Sequence, residues 1–359
     1  MSVSSDSDHV QPRSKPKRRA WRWVLAIACL TLLTYLSITF ARLALARSQG
    51  EAAAARNDWK EAARSASTLL AIRPSDPFGS NLAVRALTHL NRAAEAETHR
   101  SSASPLDRQD LHLLANELLK ARHEVEAASV YEEISKRWPD DLTSLRRLGA
   151  LEMTKSRWDR AEAIAKRLIE TPGGEVVGRT LAGSIYYNLG RKGIVAMLGM
   201  SVAEYDRVFQ LDPDLTSMPL PRKLFWSQYA YGLIREGRSL DARRHLERVV
   251  VDDGEDATLL SLLGQALDAL GEVEKAETAW NRAKRVDPKA AEPWLFLGRL
   301  ALKQRRYQVA VEFLARASEL SPQSVEPLYS LAQAYQNLGK TAEAERIRAR
   351  IDTIKASTP

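Results

Sequence analysis

The feature that most constrains the fold is a pattern of apolar and small residues that returns about every 34 residues. Within residues 257–288 the pattern occupies two groups of positions, each spaced by four and then three residues: Leu260, Gly264 and Leu267, then Ala276, Trp280 and Ala283. Each group forms one apolar stripe on an α-helix, and Gly271 between the groups indicates a turn. Small residues at Gly264 and Ala276 let the two backbones approach, and Pro288 ends the unit because it has no amide proton. The pattern therefore predicts a helix pair.

Nine such units follow one another along the chain. We place their first residues at Leu43, Pro77, Arg108, Leu142, Val176, Lys223, Ala257, Ala291 and Val325. A small residue recurs in each second helix: Ala62, Ala96, Ala127, Ala161, Ser201, Ala242, Ala276, Ala310 and Ala344. A repeat array grows in one dimension without adding separate cores, so length alone does not predict two or three domains here.

Two irregularities interrupt the array. The fifth unit gains about six residues within 191–200, and the segment 214–222 carries Pro219 and Pro221. We predict that 214–222 is a linker that forms a hinge or bend between array halves at 43–213 and 223–354. The apolar stretch from Ile194 to Met200 could be a partner contact, a membrane contact or a lengthened buried helix, and the last is favoured.

These units resemble the tetratricopeptide repeat (TPR) over about residues 43–351. The positions that carry the resemblance are Trp294, Leu297-Gly298, Ala310, Leu314, Ala317 and Pro322, then Leu328, Leu331-Ala332, Tyr335, Gly339 and Ala344. The resemblance implies an all-α, right-handed α-solenoid of about nine helix-turn-helix repeats. It also implies that the first helices line a concave groove that binds peptides or another protein.

Helical geometry predicts which side chains face that groove. Positions 2, 5, 9 and 12 of each first helix form a stripe separate from the packed one, which occupies positions 4, 7, 8 and 11. From this stripe we select as groove residues Asn116, Arg146, Tyr187, Ser227, Tyr231, Gln265, Arg299, Tyr329 and Gln333. Such mixed chemistry suits an extended peptide or a helix, but it lacks the Lys, Asn and Arg set with which some TPR domains clamp a C-terminal carboxylate.

Arg146 and its neighbour Arg147 have two interpretations. They could form a basic pocket for an acidic partner, or they could be a solvated helix face with ordinary ion pairs, and the second is the more common case.

An uncharged run of 19 residues from Trp23 to Ala41 precedes the repeats. As a helix it would be about 28 Å long, the thickness of the hydrocarbon core of a bilayer. We therefore predict a disordered basic tail over 1–20 and a transmembrane helix over 21–42. Ala44-Leu45-Ala46 also fits a signal-peptidase site, but the run is long for a signal peptide, so a retained anchor is favoured.

Basic residues indicate the orientation of this segment. Six precede the run and four follow it closely, so the cytoplasmic N-terminus is favoured, with the array outside the cytoplasm, as in a bacterial inner-membrane protein.

The remaining sequence predicts no catalytic, metal or nucleic-acid site. Half of the net charge of +8 lies in residues 1–23, so the body of the chain is nearly neutral, unlike a phosphate-binding protein. Cys29 is the only cysteine, and no histidine pair within a helix has metal-ligand spacing. No phosphate loop or nucleophile elbow is present. We predict no enzyme activity and no cofactor.

The sequence thus predicts a membrane-tethered scaffold whose groove binds a protein or peptide and which assembles or regulates a membrane complex. The alternative is an extracytoplasmic chaperone or assembly factor that binds exported polypeptides.

Overall fold

The computed structural model describes residues 17–357, in which all regular secondary structure is helical. Each repeat pairs a first helix with a second helix. The first helices are α1 (Lys17–Ala55), α3 (Pro77–His89), α5 (Arg108–Lys120), α7 (Leu142–Thr154), α9 (Glu175–Arg191), α11 (Arg222–Arg235), α13 (Ala257–Ala269), α15 (Ala291–Lys303) and α17 (Glu326–Asn337). The second helices are α2 (Trp59–Ile72), α4 (Ala93–Arg100), α6 (Glu124–Arg137), α8 (Trp158–Glu170), α10 (Ala196–Leu211), α12 (Ser239–Asp252), α14 (Val273–Val286), α16 (Tyr307–Leu320) and α18 (Thr341–Ser357).

The predicted all-α array of helix pairs is confirmed. Eight of the nine predicted repeat starts fall within one residue of a first-helix start, and the remaining one, Leu43, lies inside α1. Most of the predicted basic tail, residues 1–20, lies outside the described residues, although Lys17–Ala20 already begin α1.

The small residue predicted in each second helix is buried. Its exposed fraction is 1% or less in all nine repeats, including Ser201 in the irregular fifth one. On the facing helix, a methyl group added at Gly264 would overlap the indole ring of Trp280. Such close packing leaves no room for a larger side chain, because protein interiors are already near crystal density.

The turn between paired helices contains one residue with a left-handed backbone in every described repeat. That residue is Asn57, Asn91, Arg122, Ser156, Gly193, Gly237, Gly271, Arg305 or Gly339. The turn predicted at Gly271 is thus confirmed, whereas an arginine or serine with this backbone is strained. Four of the eight turns that lead into the next repeat use aspartate: the carboxylates of Asp76, Asp107, Asp141 and Asp256 accept hydrogen bonds from backbone amides in the first turn of the following helix.

The chain forms two compact units that divide between Pro139 and Asp140. The first contains the described helices α1 to α6, and the second contains α7 to α18. The predicted linker 214–222 therefore lies within the second unit. There Leu215 and Met218 are buried in the same hydrophobic cluster as Tyr205 before them and Phe225 after them. A bend at this segment stays a prediction.

The helix α1 is unbroken over 39 residues. From Trp21 to Leu45 nearly all of its side chains are exposed, whereas Ala46, Gly50 and Ala53 are buried against the helices that follow. Its apolar portion is the one stretch of the described chain long and apolar enough to cross a membrane, with a mean hydropathy of 2.2.

Candidate functional site

The predicted groove stripe divides by position in the second unit. Side chains at positions 2 and 12 are exposed or half-buried, as are most of those at position 9. Position 5 is instead buried in three of the six repeats: Ser261 is 0%, Thr180 1% and Leu295 5% exposed. Arg146 and Ser227 at that position are half-buried, and Tyr329 is 49% exposed. The accessible part of the stripe is therefore narrower than four positions per helix.

Two of the predicted residues meet in an aromatic cluster on α9 and α11. The rings of Tyr187 and Tyr231 pack edge to face with their centroids 5.7 Å apart. The guanidinium of Arg191 lies 6.0 Å from the first ring and 5.5 Å from the second, and it donates a hydrogen bond of 3.2 Å to the hydroxyl of Tyr187. That hydrogen bond raises the pKa of Arg191. The cluster offers a flat, cationic surface on which a peptide side chain can stack.

Arg191 was not among the predicted groove residues. Helix α9 has 17 residues, four more than α7, so it continues for an extra turn and carries Arg191 one turn beyond Tyr187. The signal in the sequence is the arginine four residues after a stripe tyrosine, within the stretch that breaks the repeat length.

A pocket of about 370 Å³ lies between α7, α8, α9 and the end of the segment 214–222. Arg146 and Arg147 line it from α7. The apolar part of its wall comprises Ala150, Met153, Trp158, Val177, Leu181 and Leu220. The contribution of Pro219 and Leu220 was not predicted, because a segment outside the repeat register has no position in a helical stripe.

Acidic side chains lie on α15 and α17. Arg299, a predicted groove residue, forms an ion pair of 2.9 Å with Glu326 and contacts the hydroxyl of Ser330 at 3.4 Å. Removal of water by surrounding groups raises the pKa of Glu292, with a further contribution from the negative charge of Glu326, while Arg191 acts in the opposite direction. Within this unit the stripe therefore carries Arg146 on α7 and the carboxylates Glu292 and Glu326 on α15 and α17.

The remaining predicted groove residues belong neither to the aromatic cluster nor to the lining of this pocket. In the first unit, the side-chain oxygen of Asn116 accepts a hydrogen bond of 2.8 Å from the hydroxyl of Tyr131, so this amide holds its own repeat together. Gln265 is half-buried and Gln333 is exposed. The amino group of Lys355 lies 5.3 Å from the ring centroid of Tyr329.

The apolar stretch from Ile194 to Met200 is divided between core and surface. Leu198 is buried, whereas Ile194, Val195 and Met200 are exposed. A lengthened buried helix thus accounts for only part of it.

Two histidines of the described chain stack on tryptophan rings. His89 stacks on Trp59 with the ring centroids 3.9 Å apart, and His245 stacks on Trp226 at 5.1 Å, where burial lowers the pKa of His245. Over residues 17–357, no three His, Cys, Asp or Glu side chains come close enough together to hold a metal ion.

Comparison with protein families identifies the repeats. Two tetratricopeptide repeat family models match the chain, one over residues 301–357 and the other over 112–175, 230–291 and 276–325. No sequence among curated proteins matches it.

Several solved structures are similar to this chain. The crystal structure of YrrB, described as a TPR protein with an unusual peptide-binding site, has a TM-score of 0.44 and 15% identity, with 56% of this chain and 98% of that one covered. A tetratricopeptide repeat protein from Parabacteroides merdae has a TM-score of 0.39 and 16% identity, with coverage of 69% and 94%. The crystal structure of MamA has a TM-score of 0.37 and 19% identity, with coverage of 47% and 94%.

The recurring helix pairs, the buried small residues and the matching family models lead to one assignment. The chain belongs to the tetratricopeptide repeat family.

Proposed function

We propose that this protein is a membrane-tethered scaffold that binds a protein partner along the first helices of its second unit and thereby assembles or regulates a membrane complex. Tetratricopeptide repeats are typically non-catalytic scaffolds for protein–protein interaction. Tethering keeps the binding surface at high local concentration near the membrane, so that even a weak interaction there is effective.

The observation that carries the proposal is the continuity of α1. The apolar run, the Ala44-Leu45-Ala46 sequence and the first helix of the first repeat belong to one helix. Ala46 is 5% and Ala53 0% exposed, and the guanidinium of Arg47 lies 4.4 Å from the ring centroid of Phe78. Cleavage after Ala46 would remove a buried residue and leave only residues 47–55 of this helix. Retention of the segment as an anchor keeps the repeat whole.

The surface chemistry of the second unit supports a protein or peptide as the partner. The Tyr187–Tyr231–Arg191 cluster, the apolar pocket on α7 and α9 and the carboxylates on α15 and α17 lie on first helices. Such a surface provides apolar contacts, stacking and charge, which extended peptides use for affinity and specificity.

The tethering is tested by the mass and topology of the mature protein. Membranes are washed with alkaline carbonate, and the mass of the retained protein is measured by mass spectrometry. In a separate experiment, spheroplasts are treated with protease. We expect the full-length mass, retention in the membrane, and digestion of the repeats from outside. A mass that lacks residues 1–46, or release by carbonate, would contradict the anchor, and full protection of the repeats would contradict the orientation.

Partner binding is tested by photocrosslinking in cells. A photoreactive amino acid is introduced at Gln265, in the groove stripe, and at Val286, an exposed apolar residue at the end of a second helix. We expect a specific adduct from position 265 and none from position 286. Equal labelling from both positions, or none from either, would contradict the proposed binding surface.

A further inference from the structure

The pocket between α7, α8 and α9 allows the chemistry of the partner to be specified further, on the basis of the proposed function. Thirteen residues line it, and none of them is acidic. Its volume of about 370 Å³ is sufficient for a bulky side chain of a peptide. Met153, Val177 and Leu220 would bury the apolar part of such a side chain, and this burial stabilises binding.

Most polar groups of the pocket wall are already hydrogen-bonded within the protein. The hydroxyl of Ser184 contacts Tyr205 and Gln228 at 3.0 Å each, and the amide nitrogen of Asn188 donates to the carbonyl of Ser184 at 2.7 Å. The hydroxyls of Thr154 and Thr180 donate to backbone carbonyls, at 2.8 and 2.7 Å. These groups leave little hydrogen-bonding capacity for a ligand.

The two arginines of the pocket are different. Over residues 17–357, neither Arg146 nor Arg147 has a carboxylate within ion-pair distance or another side-chain partner. In contrast, Arg179 on the next first helix pairs with Glu175 and Glu204, each at 2.9 Å. Both guanidiniums thus lack a carboxylate partner within the described chain, and a carboxylate of a ligand could accept charge-assisted hydrogen bonds from them.

From this arrangement we infer that the pocket binds an acidic segment of the partner protein, in which a bulky apolar side chain enters between α7 and α9 while an adjacent carboxylate pairs with Arg146 and Arg147. The apolar wall supplies affinity. The arginines select for negative charge, because none of the other eleven residues that line the pocket is charged.

The inference is tested with full-length protein in detergent micelles and three fluorescent peptides of equal length. The first alternates Asp or Glu with Leu and Phe. The second has Lys at each acidic position, and the third keeps the acidic residues but replaces Leu and Phe by Ser. We expect the first peptide to bind at least tenfold more tightly than either of the others in fluorescence anisotropy.

Variants then locate the binding. The double substitution Arg146→Gln/Arg147→Gln should weaken binding of the first peptide at least tenfold and reduce its salt dependence. The matched control Arg244→Gln/Arg285→Gln removes two exposed arginines from second helices and should leave binding unchanged. Circular dichroism checks that both variants stay folded. Unchanged binding by the Arg146/Arg147 variant, or equal binding of the Lys peptide, would overturn the inference.

The same experiments separate this inference from the proposed function. If the acidic peptide fails while photocrosslinking from Gln265 still yields a partner adduct, only the assignment of an acidic ligand is wrong. If the adduct is also absent, the proposed partner binding fails with it.

Discussion

Gly264 is a residue of α13 whose missing side chain makes room for Trp280 of the paired helix α14. The ring of Trp280 occupies the space that a side chain would need, and its indole nitrogen donates a hydrogen bond of 3.1 Å to the carbonyl of Ser261. Trp280 is also almost completely buried, so it cannot move aside into solvent. This position therefore tolerates no larger residue without local rearrangement.

We expect Gly264→Ala to lower the free energy of unfolding. Overpacking of a tight core costs about 1–3 kcal/mol, which exceeds the gain of about 1 kcal/mol from the higher helix propensity of alanine. Urea unfolding followed by tryptophan fluorescence measures the change. The control Gln265→Ala, one residue further along, should stay within about 0.5 kcal/mol of the wild type. A Gly264→Ala protein as stable as the wild type would contradict the packing argument.

Arg305 is an arginine at a turn position that favours glycine. Its backbone φ is 57°, and Gly237, Gly271 and Gly339 occupy the equivalent turns of other repeats. The left-handed backbone costs a residue with a Cβ atom about 1–2 kcal/mol, part of which glycine loses again through its greater freedom in the unfolded chain.

We therefore expect Arg305→Gly to raise the free energy of unfolding by about 0.5–1 kcal/mol. Arg305→Ala is the matched comparison, since it removes the same charge but keeps the Cβ atom, and it should bring no such gain. Chemical denaturation of both proteins checks this, and equal stability of the two would rule out backbone strain as the cause.

The carboxylate of Asp212 stabilises the start of the segment between α10 and α11. Asp212 accepts hydrogen bonds from the backbone amides of Thr216 at 3.0 Å and Ser217 at 2.7 Å, and from the hydroxyl of Thr216 at 3.1 Å. Burial would raise the pKa of Asp212, but these hydrogen bonds outweigh burial and lower it. The side chains of Leu215 and Met218, which belong to this segment, can then stay buried.

Asp212→Asn should reduce stability by about 1–3 kcal/mol at neutral pH, because a charged acceptor is lost. A lowered pKa in the folded state means that the stabilisation is present above the unfolded pKa of about 3.9 and is lost as pH falls through the folded pKa. The difference between wild type and variant should therefore shrink in acid. Urea unfolding at pH 7 and near pH 3 measures it, with Asp214→Asn as control. A difference independent of pH would contradict the role of the charge.

Sequence reasoning predicted the elements well and the surfaces less well. The positions of Gly264 and of the small second-helix residues follow from steric need within one helix pair, which recurs at each repeat. The burial of Ser261 depends on the helices that surround α13, and a projection of α13 alone does not contain that information. The position of Arg191 likewise depends on the extra turn of α9.

Within the whole molecule, contacts run mainly between neighbouring helices, and the compact units divide at 139/140. A division there could not be predicted, because the repeat spacing continues through it without irregularity and Pro139 resembles the closing prolines of other repeats. The predicted division at 214–222 relied on proline content, whereas burial of Leu215 and Met218 connects that segment to both flanking helices.

We expect the two units to respond separately to damage, as stacked repeats do when each contacts only its neighbours. Leu114 and Leu260 are both fully buried, and substitution of either by alanine should cost about 2–5 kcal/mol. Hydrogen exchange measured by mass spectrometry should show Leu114→Ala accelerating exchange in α5 and α6 but not in α13 and α14, and Leu260→Ala doing the reverse. Acceleration throughout the chain by either substitution would indicate a single cooperative structure.

The unbroken course of α1 has a mechanical consequence. No loop interrupts α1 between its apolar portion and Ala46 and Ala53, which are buried in the first repeat, and Gly50 in this stretch is itself helical and buried. Rotation of that portion about its own axis must therefore rotate the first repeat by the same angle. A short flexible linker would let the first repeat reorient freely. The continuous helix instead transmits rotation and fixes the direction in which the repeat faces.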